Sequence, residues 1–139
     1  MKFSSRHRMC LVVLLLVMPV WASSVNIRLV EASQASSPHT DPGLSDVAAI
    51  LRNQLRYNRF LLRTERNHPW RDSQALAIGQ GYQLSLSEVE GNRATVDIRL
   101  GKRRLVAMRV TLHPERPLCI GPLVSGDDKA LIVVLTLRN

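Results

Sequence analysis

The chain has 139 residues, of which 45% are hydrophobic, and it carries a formal net charge of +8 at neutral pH. This length suits one domain with a single core and is too short for two. Only 4% of the residues are aromatic, so the stacking platforms of single-strand binders are scarce, and the sequence has no RNA-binding or zinc-finger motif. Nucleic acid is therefore not an expected partner, whereas the basic surface favours an anionic one.

The first 22 residues have the parts of a cleavable secretory signal peptide. A basic start precedes an apolar run over residues 9–20, and Ala22 supplies a small residue at the cleavage position. A helix over this run covers roughly 18 Å, against about 30 Å of hydrocarbon, which disfavours a transmembrane anchor. A lipoprotein needs a cysteine directly after the apolar run, whereas Cys10 lies at its beginning. Lipid anchoring is therefore not expected. We therefore expect residues 23–139 to be one small exported domain, periplasmic or extracellular, with no transmembrane segment.

The first half of the mature chain predicts a strand, a loop and a helix. Residues 25–30 alternate apolar and polar side chains, which is typical of a strand, and the serine-rich segment 32–40 predicts a flexible loop. Asp41 and Pro42 are residue types that begin helices, because Asp accepts bonds from free N–H groups and Pro lacks a donor. An apolar stripe at spacings of three and four predicts a helix that ends near Asn58. Its members are Leu44, Val47, Ile50, Leu51 and Leu55.

After Arg59 the apolar period changes to two, and short segments rich in Val, Ile, Leu and Thr alternate with Gly and Pro. The predicted strands are 60–65, 75–78, 82–88, 94–100, 105–113 and 130–137. Directly opposed residues point to the same face, so Leu86 should pair with Val96 across a three-residue turn at 90–92. The same parity argument predicts a second three-residue tip at 102–104.

These elements predict an α+β fold in which one amphipathic helix packs on a curved antiparallel sheet of about 6–7 strands. A β-sandwich with one appended helix is the alternative. Residues 131–135 are apolar at both parities, so the last strand should be covered on both faces and lie inside the sheet.

Groups with catalytic chemistry are scattered through the sequence. His39, His68 and His113 are far apart and have no second ligand at zinc spacing. Cys119 and His113 form a conceivable nucleophile and base, but the apolar neighbours of Cys119 favour a buried core thiol. A Gly-x-Ser-x-Gly elbow is missing from the sequence. We therefore expect no catalytic residue, no metal site and no cofactor.

Two groups of basic residues are the candidates for binding. Arg52, Arg56 and Arg59 are spaced by four and three, so they share one face of the predicted helix. Arg63 follows in the next strand. The second candidate is the hairpin tip Lys102, Arg103 and Arg104. Guanidinium groups suit phosphate or carboxylate, although polar helix faces and basic tips also occur simply because they are solvated.

Two segments carry a resemblance to a known family. Residues 41–51, placed after a short strand, are similar to the strand-helix start of the periplasmic domains of bacterial secretins. Residues 117–123, followed by the apolar strand 130–137, resemble the closing region of a secretin. The resemblance implies a small companion of an envelope secretion or pilus apparatus, which binds and does not catalyse.

The sequence therefore favours an exported, non-catalytic binding or assembly module of the bacterial cell envelope. The expected partner is an envelope protein or an anionic envelope component, namely an acidic protein face, a lipid headgroup or a cell-wall polymer. An exported enzyme or enzyme inhibitor with an unrecognised site is the alternative.

Overall fold

The computed structural model describes residues 23–123 and 129–139. Within these ranges the chain forms nine strands, one short α-helix and a 3-10 turn. The strands are β1 (Ser24–Ser33), β2 (His39–Thr40), β3 (Arg59–Pro69), β4 (Ser73–Gly79), β5 (Tyr82–Glu90), β6 (Arg93–Leu100), β7 (Arg103–Thr111), β8 (Leu118–Ile120) and β9 (Lys129–Arg138). Helix α1 spans Ala48–Gln54 and follows the 3-10 turn Pro42–Leu44. The predicted signal peptide, residues 1–22, lies outside the described residues.

The strands make two sheets that share a core. The five-stranded sheet has the order β2-β3-β1-β9-β8, and the four-stranded sheet has the order β4-β5-β6-β7. Their described pairs are antiparallel except for β2 with β3. Each sheet turns an apolar face toward the other, as in a two-layer packing. The shared core includes Val25, Leu29, Leu84, Ile98 and Leu135.

Helix α1 and the 3-10 turn cover the other face of the five-stranded sheet. Leu44, Val47 and Leu51 are buried there against Phe60 and Val134. Strand β9 therefore has apolar residues buried on both faces, and it lies between β1 and β8. The prediction of an interior, doubly covered last strand is confirmed.

The α+β class with most residues in strands agrees with the prediction, but the single curved sheet of about 6–7 strands was wrong. The reason is that β9 pairs along its whole length with β1 and not with the preceding meander. Strands β4 to β7 are consequently left as a separate sheet. Two packed sheets with one outer helix have the architecture of the alternative, the β-sandwich with an appended helix.

The two central hairpins follow the predicted parity but turn differently. Leu86 pairs with Val96 as expected. A bulge between Ser87 and Glu90 takes up one residue, so the turn has two residues and not three. In the next hairpin Val106 lies opposite Ile98, two residues away from the expected register. Its turn is Gly101-Lys102, because a second bulge near Leu105 places Arg103 and Arg104 in β7.

Helix α1 is shorter than predicted. Leu55 has the extended dihedral angles φ −124° and ψ 148°, so the helix ends at Gln54 and not near Asn58. The side chain of Asp41 makes no capping hydrogen bond to the 3-10 turn. Its Oδ2 atom instead accepts a bond from the backbone N–H of Leu62 at 2.8 Å, which ties the turn to β3. The helix described between residues 23 and 139 is too short to cross a membrane.

Candidate functional site

The three arginines predicted to share a helical face lie on different pieces of backbone. Arg52 is in the last turn of α1, Arg56 follows the helix, and Arg59 is the first residue of β3. The prediction of one rigid helical stripe was wrong, because the chain leaves the helical conformation at Leu55. All three side chains are nevertheless exposed.

The short strand β2 brings Arg52 and Arg59 to the same end of the five-stranded sheet. His39 lies opposite Arg59, and Thr40 lies opposite Phe60. The Nη2 atom of Arg52 donates to Thr40 Oγ1 at 3.1 Å. We call this region, formed by Arg52, Arg59, His39 and the loop residues 35–38, the basic end.

A groove of about 400 Å³ opens at the basic end. Its lining consists of Ala35, Ser36, Ser37, Pro38, His39 and Arg59. One guanidinium, one imidazole and two hydroxyls therefore border the same space. These groups are hydrogen-bond donors to anionic oxygens, and the imidazole donates from both nitrogens when it is protonated.

Asn58 holds the loop that forms one wall of this groove. Its Nδ2 atom donates to Ala35 O at 2.9 Å, and its Oδ1 atom accepts from Ala35 N at 2.8 Å. The backbone of Asn58 also bonds to Ser33 and His39, at 3.2 and 2.9 Å. Four hydrogen bonds on one residue fix the loop against the start of β3, so the groove exists before a ligand arrives.

Asp41 lies at the edge of the basic end and is ionised at neutral pH. The Leu62 N–H lowers the pKa of Asp41, and His39 and Arg59 lower it further. His39 Nε2 is 3.0 Å from Asp41 Oδ1, so the carboxylate orients the ring. Within the part of the chain described, no carboxylate is within 4 Å of the guanidinium of Arg52 or Arg59.

Arg63 does not belong to the basic end. Its Nε and Nη2 atoms donate to Glu31 Oε1 at 3.1 and 2.9 Å, which links β3 to β1. The other oxygen of Glu31 is 4.0 Å from Lys129 Nζ. The guanidinium of Arg63 is therefore paired with a carboxylate of the neighbouring strand, unlike those of Arg52 and Arg59 among the described residues.

The residues of the second basic candidate lie on the four-stranded sheet. Lys102 is in the β6-β7 turn and lines a polar groove of about 760 Å³ on the outer face of that sheet. Arg103 begins β7 opposite Leu100. The Nε atom of Arg104 is 2.9 Å from Asp97 Oδ2, whose other oxygen is 3.2 Å from Arg99 Nε. Part of this group is already neutralised by Asp97.

Two residues with catalytic chemistry, His68 and Ser73, come into contact in the structure. His68 Nε2 lies 2.7 Å from Ser73 Oγ, and burial lowers the pKa of His68. Asp72, the neighbouring carboxylate, accepts instead from Val89 N at 2.9 Å. Cys119 is half-buried and not fully buried as predicted, and burial raises the pKa of its thiol. In residues 23–123 and 129–139 no three His, Cys, Asp or Glu side chains are grouped to hold a metal ion.

The sequence named Arg52 and Arg59 as candidates but did not predict the groove beside Arg59. His39, Ser36, Ser37 and Asn58 become neighbours through the parallel pairing of β2 with β3. A strand of only two residues has no periodic pattern in the sequence, and the serine-rich segment predicts only a loop. Asn58 lies at the predicted end of the helix, and because Asn is common in turns, it gave a weak local signal that this residue stabilises a turn.

Comparisons with family models, with curated proteins and with solved structures give no match.

Proposed function

We propose that this protein is an exported, non-catalytic binding module of the bacterial cell envelope that holds an anionic partner at its basic end. The observation that carries the proposal is the groove beside Arg59, whose loop wall is fixed by the hydrogen bonds of Asn58. A preformed site loses less conformational freedom on binding than a mobile one. Export and a role beside a secretion or pilus apparatus rest on the sequence patterns alone.

An acidic protein face is the partner that the geometry favours. Arg52 and Arg59 place two separate guanidinium groups beside β2, and each guanidinium can bind one carboxylate through two parallel hydrogen bonds. Insertion into a lipid surface needs large apolar side chains, whereas the groove lining contains only Ala35 and Pro38 as apolar residues. Lipid headgroups and anionic cell-wall polymers are the competing ligands.

The test compares the binding of a glutamate-rich peptide, phosphatidylglycerol vesicles and phosphatidylcholine vesicles to the purified protein. The double variant Arg52→Ala/Arg59→Ala should bind the peptide about 5-fold to 30-fold more weakly, because each exposed contact contributes about 0.5–1 kcal/mol. Added salt should have a similar effect. Lys102→Ala/Arg103→Ala is the matched control, since it removes the same charge from the other basic group.

Equal loss of affinity in both double variants would mean that only net charge matters and would refute a site at the basic end. Binding to phosphatidylglycerol vesicles with no binding to the peptide would replace the protein partner by a lipid. Thermal melts of each variant show whether the fold is intact.

The alternative function, an exported enzyme, is favoured by one contact. His68 and Ser73 are at hydrogen-bond distance, and the lowered pKa of His68 favours its neutral, basic form. A serine nucleophile also needs a group that orients the base. The nearby Asp72 is bonded to Val89 and does not take that role. Unchanged turnover of an ester substrate panel by Ser73→Ala would remove this alternative.

A further inference from the structure

The four-stranded sheet ends in a long, open edge at β7. This strand has 9 residues and pairs with β6 on one side. Its other side has no neighbouring strand among the residues described. Unpaired N–H and C=O groups along such an edge are a template for another strand.

The other described edges are poor templates. Strands β2 and β8 have 2 and 3 residues. Strand β4 is irregular, with register shifts on both sides of Leu76 and a positive φ at Ala75. Its end is also tied to β3, because the hydroxyl of Thr64 donates to the carbonyl of Ile78. Strand β7, by contrast, pairs without interruption from Val106 to Thr111.

The inner face of β7 exposes apolar surface at this edge. Met108 lies opposite Val96, which is 0% exposed in the shared core, so both side chains point to the same face. Met108 itself is 42% exposed. The apolar face of the sheet therefore extends to the edge strand β7, where it is partly exposed to solvent. Val106, two residues before Met108 on the same face, is half-buried.

The outer face of β7 carries arginines. Arg109 lies opposite Thr95, and Arg104 lies opposite Arg99. Each is in a surface pair, Arg109 with Glu88 at 3.4 Å and Arg104 with Asp97 at 2.9 Å. Each pair uses one nitrogen of a guanidinium that has five N–H donors, so further carboxylates can bind. Exposed pairs of this kind are also weak and exchange readily.

We propose that β7 accepts a β-strand from a partner protein in which apolar residues alternate with acidic ones. The apolar residues of that strand would cover Met108 and Val106, and its acidic residues would face Arg104 and Arg109. A second copy of this chain is a poor occupant, because antiparallel β7-β7 pairing brings arginines together. The basic residues thus select against self-association and for an acidic strand.

The test uses a blocked nine-residue peptide of alternating valine and glutamate. Binding should increase the protection of the β7 amides from hydrogen exchange by at least about 10-fold. The corresponding valine-lysine peptide should not bind, and N-methylation along one edge of the valine-glutamate peptide should abolish binding, because it removes backbone donors and leaves the side chains.

Variants of β7 test the two faces separately. The charge-reversed Arg104→Glu/Arg109→Glu protein should lose about 10-fold or more in affinity for the glutamate peptide and gain affinity for the lysine peptide. Met108→Lys, at an exposed position, should weaken the binding of the valine-glutamate peptide, because it places a charge against the valine face of that peptide. Arg56→Glu/Arg71→Glu is the matched control, because Arg71 precedes the opposite edge of the sheet, and it should bind like the wild type.

Equal binding of the two peptides, or binding that survives N-methylation, would overturn the proposal. The role of the arginines would then be to prevent edge-to-edge aggregation. A dimer through β7 in the absence of peptide, detected by sedimentation, would also overturn it. In the Arg52→Ala/Arg59→Ala protein the peptide should protect the β7 amides as it does in the wild type, so this readout is independent of the basic end.

Discussion

Arg28 and Asp46 form a two-pronged ion pair, in which Nη1 and Nη2 of Arg28 donate to the two carboxylate oxygens of Asp46 at 2.7 and 2.8 Å. Arg28 is only 2% exposed on β1, and its Nη1 atom also donates to Gly43 O at 3.0 Å. The pair fastens the segment between the 3-10 turn and α1 onto the sheet. It thereby positions the helix that ends at the basic end.

Replacing one member of this pair should cost more than replacing both. Asp46→Ala leaves a buried guanidinium without its carboxylate, and we expect a loss of about 1–3 kcal/mol in the free energy of unfolding. Arg28→Met/Asp46→Ala removes the buried charge and should recover part of that loss. Urea unfolding measures both values. A double variant that is less stable than Asp46→Ala would contradict this explanation.

Stability should fall in acid because of two carboxylates. Hydrogen bonds from Arg28 lower the pKa of Asp46, and the Leu62 N–H lowers that of Asp41, in both cases below the ordinary value of 3.8. A group with a depressed folded pKa stabilises the fold above its unfolded pKa, and this contribution is lost as the pH falls through the folded value. Thermal melts from pH 6 to pH 2 should therefore decline mainly below about pH 4.

The variant Asp41→Asn/Asp46→Asn serves as the control for this pH dependence. It should be less stable than the wild type at pH 6, and its melting temperature should change less between pH 4 and pH 2. Parallel curves for the two proteins would show that other groups cause the acid sensitivity.

Asn58 should affect binding through the shape of the groove. Asn58→Ala removes both side-chain bonds to Ala35, so the loop must be ordered when a ligand binds. We expect about 3-fold to 10-fold weaker binding of the glutamate-rich peptide, although no contacting group is changed. Arg59→Ala in the same background should weaken binding further. An Asn58→Ala protein with wild-type affinity and normal folding would mean that loop order is irrelevant.

Processing should occur after Ala22. Ser23 takes part in the fold, since its carbonyl accepts from Trp70 N at 2.9 Å and its hydroxyl donates to Asn139 Oδ1 at 2.9 Å. Strand β1 begins at the next residue, Ser24. Intact-mass analysis of protein from the native envelope should therefore show loss of residues 1–22. Retention of Met1 in that fraction would refute the signal-peptide interpretation.

Most strands could be predicted because their signal is local. Alternation in β1, β5 and β6 reports which side chains share a face, and parity correctly paired Leu86 with Val96. The bulges near Ser87 and Leu105 were not predicted, because each lies at the end of a strand, where too few residues follow to show that the alternation has shifted by one. The turn lengths and the register of the second hairpin were missed for this reason.

The candidate site was only partly predictable. Spacing grouped Arg52 and Arg59 along one helical face, whereas in the structure Arg52 bonds to Thr40 of β2 and Arg59 lies opposite His39 of the same strand. Spacing also included Arg63, whose guanidinium forms an ion pair with Glu31 on β1. Whether an arginine is available to a ligand depends on partners far away in the chain.

By itself the sequence determined the longer strands, their apolar faces, the basic character and the interior position of β9, since these follow from composition and short-range periodicity. Only the tertiary structure decided that β9 pairs with β1, so that β4 to β7 form a second sheet whose β7 edge has no neighbouring strand in the described part of the chain. It also decided where α1 ends and how Asn58 fixes the groove. Periodicity specifies which face a residue occupies, whereas the partner of that face is selected by packing between segments distant in sequence.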